Sequence, residues 1–354
     1  MSFILGTLLA ALLIAAACAS SWPLIRRRYR LGTPADELHH ARTEDGWDLA
    51  LYRYLPLQAH PFREPVILCH GMLSNRFNVD LDERCSLARH LRARGFDVWV
   101  MELRGHGGSR RSADDRRSPE RRGGFDWTLD DYILRDVPSV LRYVCQATGS
   151  PTVHWFGHSL GGMLLYGGCA TGLAPSIRSA VVTDAPATLG PLRRRARGGR
   201  LYARLFPAVP PALVLPFLGP AAWLLPRVMA RRYGMADRRL VVSLLANAII
   251  PWGSSRVLLQ LCRMLEQGRF ASMDGEVDYE LGALRIEFPL LVIAAGEGRL
   301  PEETIRHGID RAPAREKRYL RLAGRTHSNL LVGPGASEEV YPVIADWFEA
   351  HSSG

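Results

Sequence analysis

The sequence predicts an α/β fold, a mostly parallel doubly wound sheet with a helical cap inserted late in the chain. Three observations carry that reading. Short, fully apolar runs such as VILC (Val66–Cys69), AVVT (Ala180–Thr183) and PLLVIAA (Pro289–Ala295) have the character of parallel strands buried on both faces. Helical patterns lie between such runs, the alternation that winds a sheet with helices on both sides. One interval, Thr183 to Pro289, leaves about 100 residues where a connection of about 2–6 would serve, so it reads as an insertion. With 354 residues, 47% of them hydrophobic, the chain can bury a large core, and general disorder is excluded.

The elements follow in order. Trp47–Leu55 alternates as a strand, and VILC follows it, ending in His70-Gly71. Ser86–Gly95 is an amphipathic helix closed by a glycine. Phe96–Leu103 is a strand leading into RGHGGS. Thr128–Thr148 reads as one long helix, with Thr128 at its N-cap and Asp130 and Asp131 in its first turn. Thr152–Phe156 is a strand, and LGGMLLYGGCA after Ser159 has helical spacing. AVVT, PLLVIAA and Arg318–Leu322 complete the strands, and Glu338–Ala350 is a closing helix. The expected organisation is residues 31–186 with 287–354 as the core and 187–286 as the cap.

Residues 1–30 stand apart. Phe3–Ala19 carries no charge and, with Ser20–Ile25, reaches the length of about 20 residues that spans a bilayer. Arg26, Arg27, Arg28 and Arg30 follow it, and no positive charge precedes it, so an uncleaved anchor with a cytoplasmic main domain is expected. A secretory signal cut near Ala17–Ser21, giving a secreted or periplasmic protein, and a lipoprotein modification of Cys18 are the alternatives.

The net charge of +10 comes almost wholly from arginine, clustered at Arg26–Arg30, Arg110–Arg122 and Arg193–Arg200. Such runs suit anionic headgroups or solvated loops. No aromatic-interleaved basic motif points to nucleic acid. The six cysteines are scattered, with no CxxC and no Cys/His metal spacing, and are expected as free thiols. No metal or cofactor is implied.

Gly157-His158-Ser159-Leu160-Gly161 sits between a strand and a helix, the setting of a nucleophile elbow. A serine held there needs a strained backbone, and small neighbours relieve the crowding. A base must take its proton, and His327, shortly after the last strand, is the candidate. The oxyanion donors are expected to be the N–H groups of Leu160 and Met72. His70 is expected to shape that turn, His158 to pack at the elbow and His106 to brace its loop. The carboxylate that should orient His327 is open between Asp184 and Glu297, each at the end of a buried strand.

These residues, with CHGMLSN, GFDVWVMELRGHGGSRR, FDWTLDDYILRDVPSVLRYV, GHSLGG and THSNLL, resemble the α/β-hydrolase superfamily, in particular its acid-lipase-like branch that includes gastric lipase. The resemblance runs from about Trp47 to Phe348 and implies hydrolysis of carboxylic, lipid or acyl esters through an acyl-serine intermediate. It also implies an aspartate in a G-x-D or G-x-x-D pattern after Gly296, where this chain has Gly298 and Arg299. Polyhydroxyalkanoate synthases are similar in the core but use a cysteine nucleophile, which Ser159 argues against. Two further readings stay open. One is an acyltransferase or polyester-processing enzyme with the same nucleophile, the other a non-catalytic binding protein on the same fold.

Overall fold

The computed structural model describes residues 20–32, 35–58, 62–111, 124–211, 237–250 and 252–353. The expected anchor Phe3–Ala19, with Cys18, lies outside the described residues. Among the described residues no helix is long and apolar enough to cross a membrane.

The strands are β1 (Glu37–Arg42), β2 (Trp47–Tyr54), β3 (Val66–Cys69), β4 (Val98–Met101), β5 (Arg110–Arg111), β6 (Val153–His158), β7 (Ile177–Thr183), β8 (Ala208–Val209), β9 (Gly253–Ser254), β10 (Leu290–Ala295) and β11 (Lys317–Leu322). Nine of them form one sheet in the order β1-β2-β4-β3-β6-β7-β10-β11, with β5 paired to β2. From β4 to β11 the strands run parallel, while β1, β2 and β5 add antiparallel pairings at one side. Strands β3, β4, β6 and β10 are buried at every position, which is why β3, β4 and β10 read as unbroken apolar runs, while β6 buries His154 and His158. β1 carries no such run. It is an edge strand, ELHHAR, mostly part-exposed, and its polar composition hid it from the sequence reading.

Successive strand residues feed opposite faces, as the pleat demands. Ile67, Trp99, Trp155 and Val182 join one apolar cluster, and Val66, Leu68, Val100, Phe156 and Val181 join the other. Both faces are therefore covered, one partly by helices α2 (Val137–Thr148) and α3 (Leu160–Ala170), the other partly by α1 (Leu87–Ala93) and a C-terminal helix, Tyr341–Ala350. Ser86 caps α1, its Oγ accepting from the Arg89 N–H at 3.0 Å.

The long helix expected over Thr128–Thr148 is interrupted. A short turn, Leu129–Asp131, runs into a π turn, Tyr132–Asp136, before α2 begins. Pro138 has no N–H to return to the preceding turn, so the regular ladder cannot run through it. Buried Asp136, at the end of the π turn, accepts from the Arg104 N–H at 2.9 Å and from its Nε at 2.7 Å.

Between β7 and β10 the chain adds no strand to the large sheet. Its described residues form α4 (Arg197–Leu205), α5 (Arg238–Asn247) and α6 (Ser255–Gln267), with β8 and β9 paired to each other. Most of the proline-punctuated stretch of this segment lies outside the described residues. Five described cysteines are free thiols, and no metal-binding cluster occurs among the described residues.

Candidate active site

The site forms at the carboxyl ends of β3, β6, β7 and β10. Ser159 links β6 to α3 with φ 53° and ψ −113°. Such a backbone costs a non-glycine residue about 1–3 kcal/mol and persists only where its surroundings enforce it. Here the Ser159 N–H donates to Thr183 O at 2.9 Å, and Ser159 O accepts from Gly162 at 3.0 Å. The neighbouring glycines leave no room for side chains. A Cβ on Gly157 would meet Gly161 O at 2.4 Å, and one on Gly161 would meet Cys69 O at 2.5 Å. On Gly162 it would meet Ala185 Cβ at 2.5 Å. The turn therefore projects a part-exposed serine at the positive end of α3.

His327 lies on the loop after β11, with its side chain 40% exposed. Its Nδ1 is 2.5 Å from Oδ2 of Asp184, which is fully buried. Asp184 follows β7 in a left-handed conformation, φ 45°. Its N–H donates to Ile293 O at 2.8 Å, and its Oδ1 accepts from the Ala295 N–H at 3.1 Å. One oxygen is thus held by the sheet, which turns the other to the imidazole. Glu297 is not part of this arrangement. Its side chain is exposed, and its N–H donates to Arg325 O at 2.8 Å.

The serine and the imidazole share one place in the fold. His158, directly before Ser159, packs its ring 4.6 Å from that of His327 and hydrogen-bonds Thr183 Oγ1 at 3.0 Å. Burial, with His327 and His70 nearby, holds the His158 pKa well below the ordinary histidine value, so it is neutral.

The loop after β3 closes the site. A Cβ on Gly71 would stand 3.4 Å from both Ser159 Cβ and His158 Cδ2, so this loop lies against the nucleophile. Asn78 Oδ1 accepts the Gly71 N–H at 3.0 Å. His70 Nε2 accepts from the Leu103 N–H at 3.4 Å, which leaves Nδ1–H to donate to Gly71 O at 2.8 Å. Burial pushes the His70 pKa down to about 3, which preserves that neutral tautomer. His106 is similarly pushed down by burial, to about 4, and its Nδ1 hydrogen-bonds Arg104 O at 2.9 Å. Among the described residues, the N–H groups of Met72 and Leu160 have no protein acceptor, so both remain available to a ligand oxygen. Leu73, next to Met72, has φ 54°, so all three non-glycine residues with positive φ among the described residues lie in or beside this site.

Two contributors escaped the sequence reading. Asn78 is seven residues beyond the glycine it holds, with no motif to announce it. Thr183 serves through its carbonyl and hydroxyl, and its position in an apolar strand masked that role.

A family model of the α/β hydrolase fold matches residues 64–201. The chain has the α/β-hydrolase fold. Its sequence is similar to Lipase 1 of Drosophila melanogaster, 32% identical over 126 residues, which cover 35% of this chain and 27% of that one. It is 31% identical over 137 residues to gastric triacylglycerol lipase of Rattus norvegicus, covering 37% of this chain and 33% of that lipase. These matches therefore span about a third or less of either relative's length. The fold is also that of a soluble variant of monoglyceride lipase from Saccharomyces cerevisiae, with a TM-score of 0.58, 16% identity, and coverage of 92% of this chain and 99% of that one.

Proposed function

We propose that the protein is a serine hydrolase of carboxylic esters, with Ser159 as nucleophile, His327 as base and Asp184 as the acid that orients it. The single observation that carries this reading is the His327–Asp184 pair, 2.5 Å between Nδ1 and Oδ2, set beside a serine in a strained turn. With Nδ1–H donated to Asp184, Nε2 is free to accept the Ser159 proton. The alkoxide then attacks the ester carbonyl, and the oxyanion takes the N–H groups of Met72 and Leu160. His327 passes the proton to the leaving alcohol. Water, activated by the same imidazole, then hydrolyses the acyl-serine and releases the acid. Buried Asp184 stabilises the imidazolium throughout.

The similarity to chains named as lipases supports acyl esters as the substrate class. The apolar run Phe3–Ala19, with the arginines after it, supports a place at a membrane on sequence grounds. The test is labelling with a fluorophosphonate probe, together with hydrolysis of p-nitrophenyl esters of graded chain length. The wild type is expected to label and turn over, and Ser159→Ala to do neither. Failure of the wild type in both assays, or labelling that survives Ser159→Ala, overturns the proposal.

A further inference from the structure

We propose that the cleft between residues 20–31 and the loop Asn75–Phe77 is a binding site for a phosphate-bearing anion. The cleft measures about 910 Å³ and is separate from the serine centre, since Ser159, Asp184 and His327 do not line it. Four arginines do, Arg26, Arg27, Arg30 and Arg76, against one carboxylate, Glu102.

The charge of the three rim arginines is poorly spent within the protein. Among the described residues Arg26, Arg27 and Arg30 have no acidic partner, and all three are exposed at the rim. Arg76 is 6% exposed, and its Nη1 has no hydrogen-bond partner. It is ion-paired at 3.6 Å with Asp80 Oδ2, without a hydrogen bond, and its Nη2 donates to Gly32 O at 3.3 Å. Asp80 is already engaged by Ser86 at 2.6 Å, by Arg89 at 3.2 Å and by the Tyr54 hydroxyl. Glu102 is spent on backbone N–H groups of Arg76 and Gly108, and burial raises its pKa, which weakens it as a counter-charge. Cations are therefore repelled from the cleft, while a multiply charged anion meets several planar guanidinium forks.

The site is held open by the fold. Asn247 ties its walls together, donating to Tyr29 O at 2.8 Å, accepting from the Leu31 N–H at 3.1 Å and receiving Asn75 Nδ2 on its own carbonyl at 2.7 Å. Trp22 is buried against the core, and the Arg76 guanidinium stacks 3.9 Å over the Phe77 ring. The cleft walls and Arg76 therefore need little ordering when a ligand arrives. The aromatic walls add apolar surface beside the charge, which suits a phosphate carried on an organic group.

The full-length chain in nonionic detergent is titrated by calorimetry with inorganic phosphate and with dihexanoylphosphatidylglycerol. Saturable binding of either is expected, and tighter binding of the lipid identifies a headgroup as the source rather than free phosphate. The triple change Arg26→Gln, Arg27→Gln and Arg30→Gln should weaken binding about tenfold or more. Arg28→Gln removes the same type of charge from an exposed residue outside the cleft and should change affinity less than about twofold. Should the triple variant unfold, Arg27→Gln alone serves, with a loss of about threefold or more expected. No saturable binding of either probe, or equal weakening by Arg28→Gln, overturns the proposal.

Discussion

Replacing Asp184 by asparagine tests the acid directly. Oδ1 of Asp184 accepts the Ala295 N–H at 3.1 Å, and Oδ2 faces His327 Nδ1 at 2.5 Å. In Asp184→Asn the amide oxygen keeps the Ala295 bond, because only an oxygen can accept there. The NH₂ group then turns to His327 and forces Nδ1 to accept. The remaining proton moves to Nε2, which can no longer take one from Ser159. A wrong tautomer of this kind costs about 10³–10⁴ in kcat, or about 4–5.5 kcal/mol of transition-state stabilisation. The fold should tolerate the change, since the packing volume and the Ala295 bond are kept. Initial rates on p-nitrophenyl butyrate, with a thermal melt as control, give the answer. Glu297→Gln, at an exposed position, should alter kcat by less than about twofold. A crippled Glu297→Gln beside a nearly unaffected Asp184→Asn would refute the reasoning.

Two further outcomes concern stability. A Cβ on Gly282 would lie 1.7 Å from the backbone oxygen of Tyr166, which neither partner can easily yield, so Gly282→Ala should destabilise by about 3 kcal/mol or more. Gly198, in α4, has nothing within 4 Å of a Cβ, so Gly198→Ala should stabilise by about 0.5–1 kcal/mol. Urea denaturation of both variants checks the pair, and equal effects would contradict it. Acid should also loosen the fold. Burial pushes His70 and His154 down to about 3 and His106 to about 4. Below the unfolded value of about 6.5 the unfolded chain binds protons that the folded one refuses, so stability falls from there until these folded values are reached. Asp136, raised to about 6 by burial, and Glu102, also raised by burial, act in the opposite sense over part of the window, but these three histidines and His158, which burial also holds well below its ordinary value, outnumber them. Melts from pH 8 to 4 should show a falling Tm, and a flat or rising profile would contradict this.

Much of the fold was legible because burial on both faces writes itself as apolar runs. β3, β7 and β10, which carry the site, announced themselves in that way. β1 did not, since an edge strand needs no such run. The elbow was legible because its glycines are a local steric requirement, visible at fixed spacing around Ser159. The acid was not, because Asp184 and Glu297 both end buried strands and look alike in one dimension. What separates them is the bend at Asp184 and the length of β10 beside it, which sends one carboxylate inward while the other stays in solvent. Asn78 was invisible for a similar reason, its bond to Gly71 being a product of how the loop folds back.

The bend after β7 bears on how such a centre can be rewired. A Cβ placed on Gly298 would stand 3.4 Å from Asp184 Oδ1, so two separate turns of the polypeptide converge on one spot beneath the ring. Gly298 is also one of the two positions, with Arg299, at which the lipase-like pattern expects its aspartate. A side chain at 298 would therefore start close to the Asp184 carboxylate, while its Cβ would also press on Ala295 O at 3.0 Å.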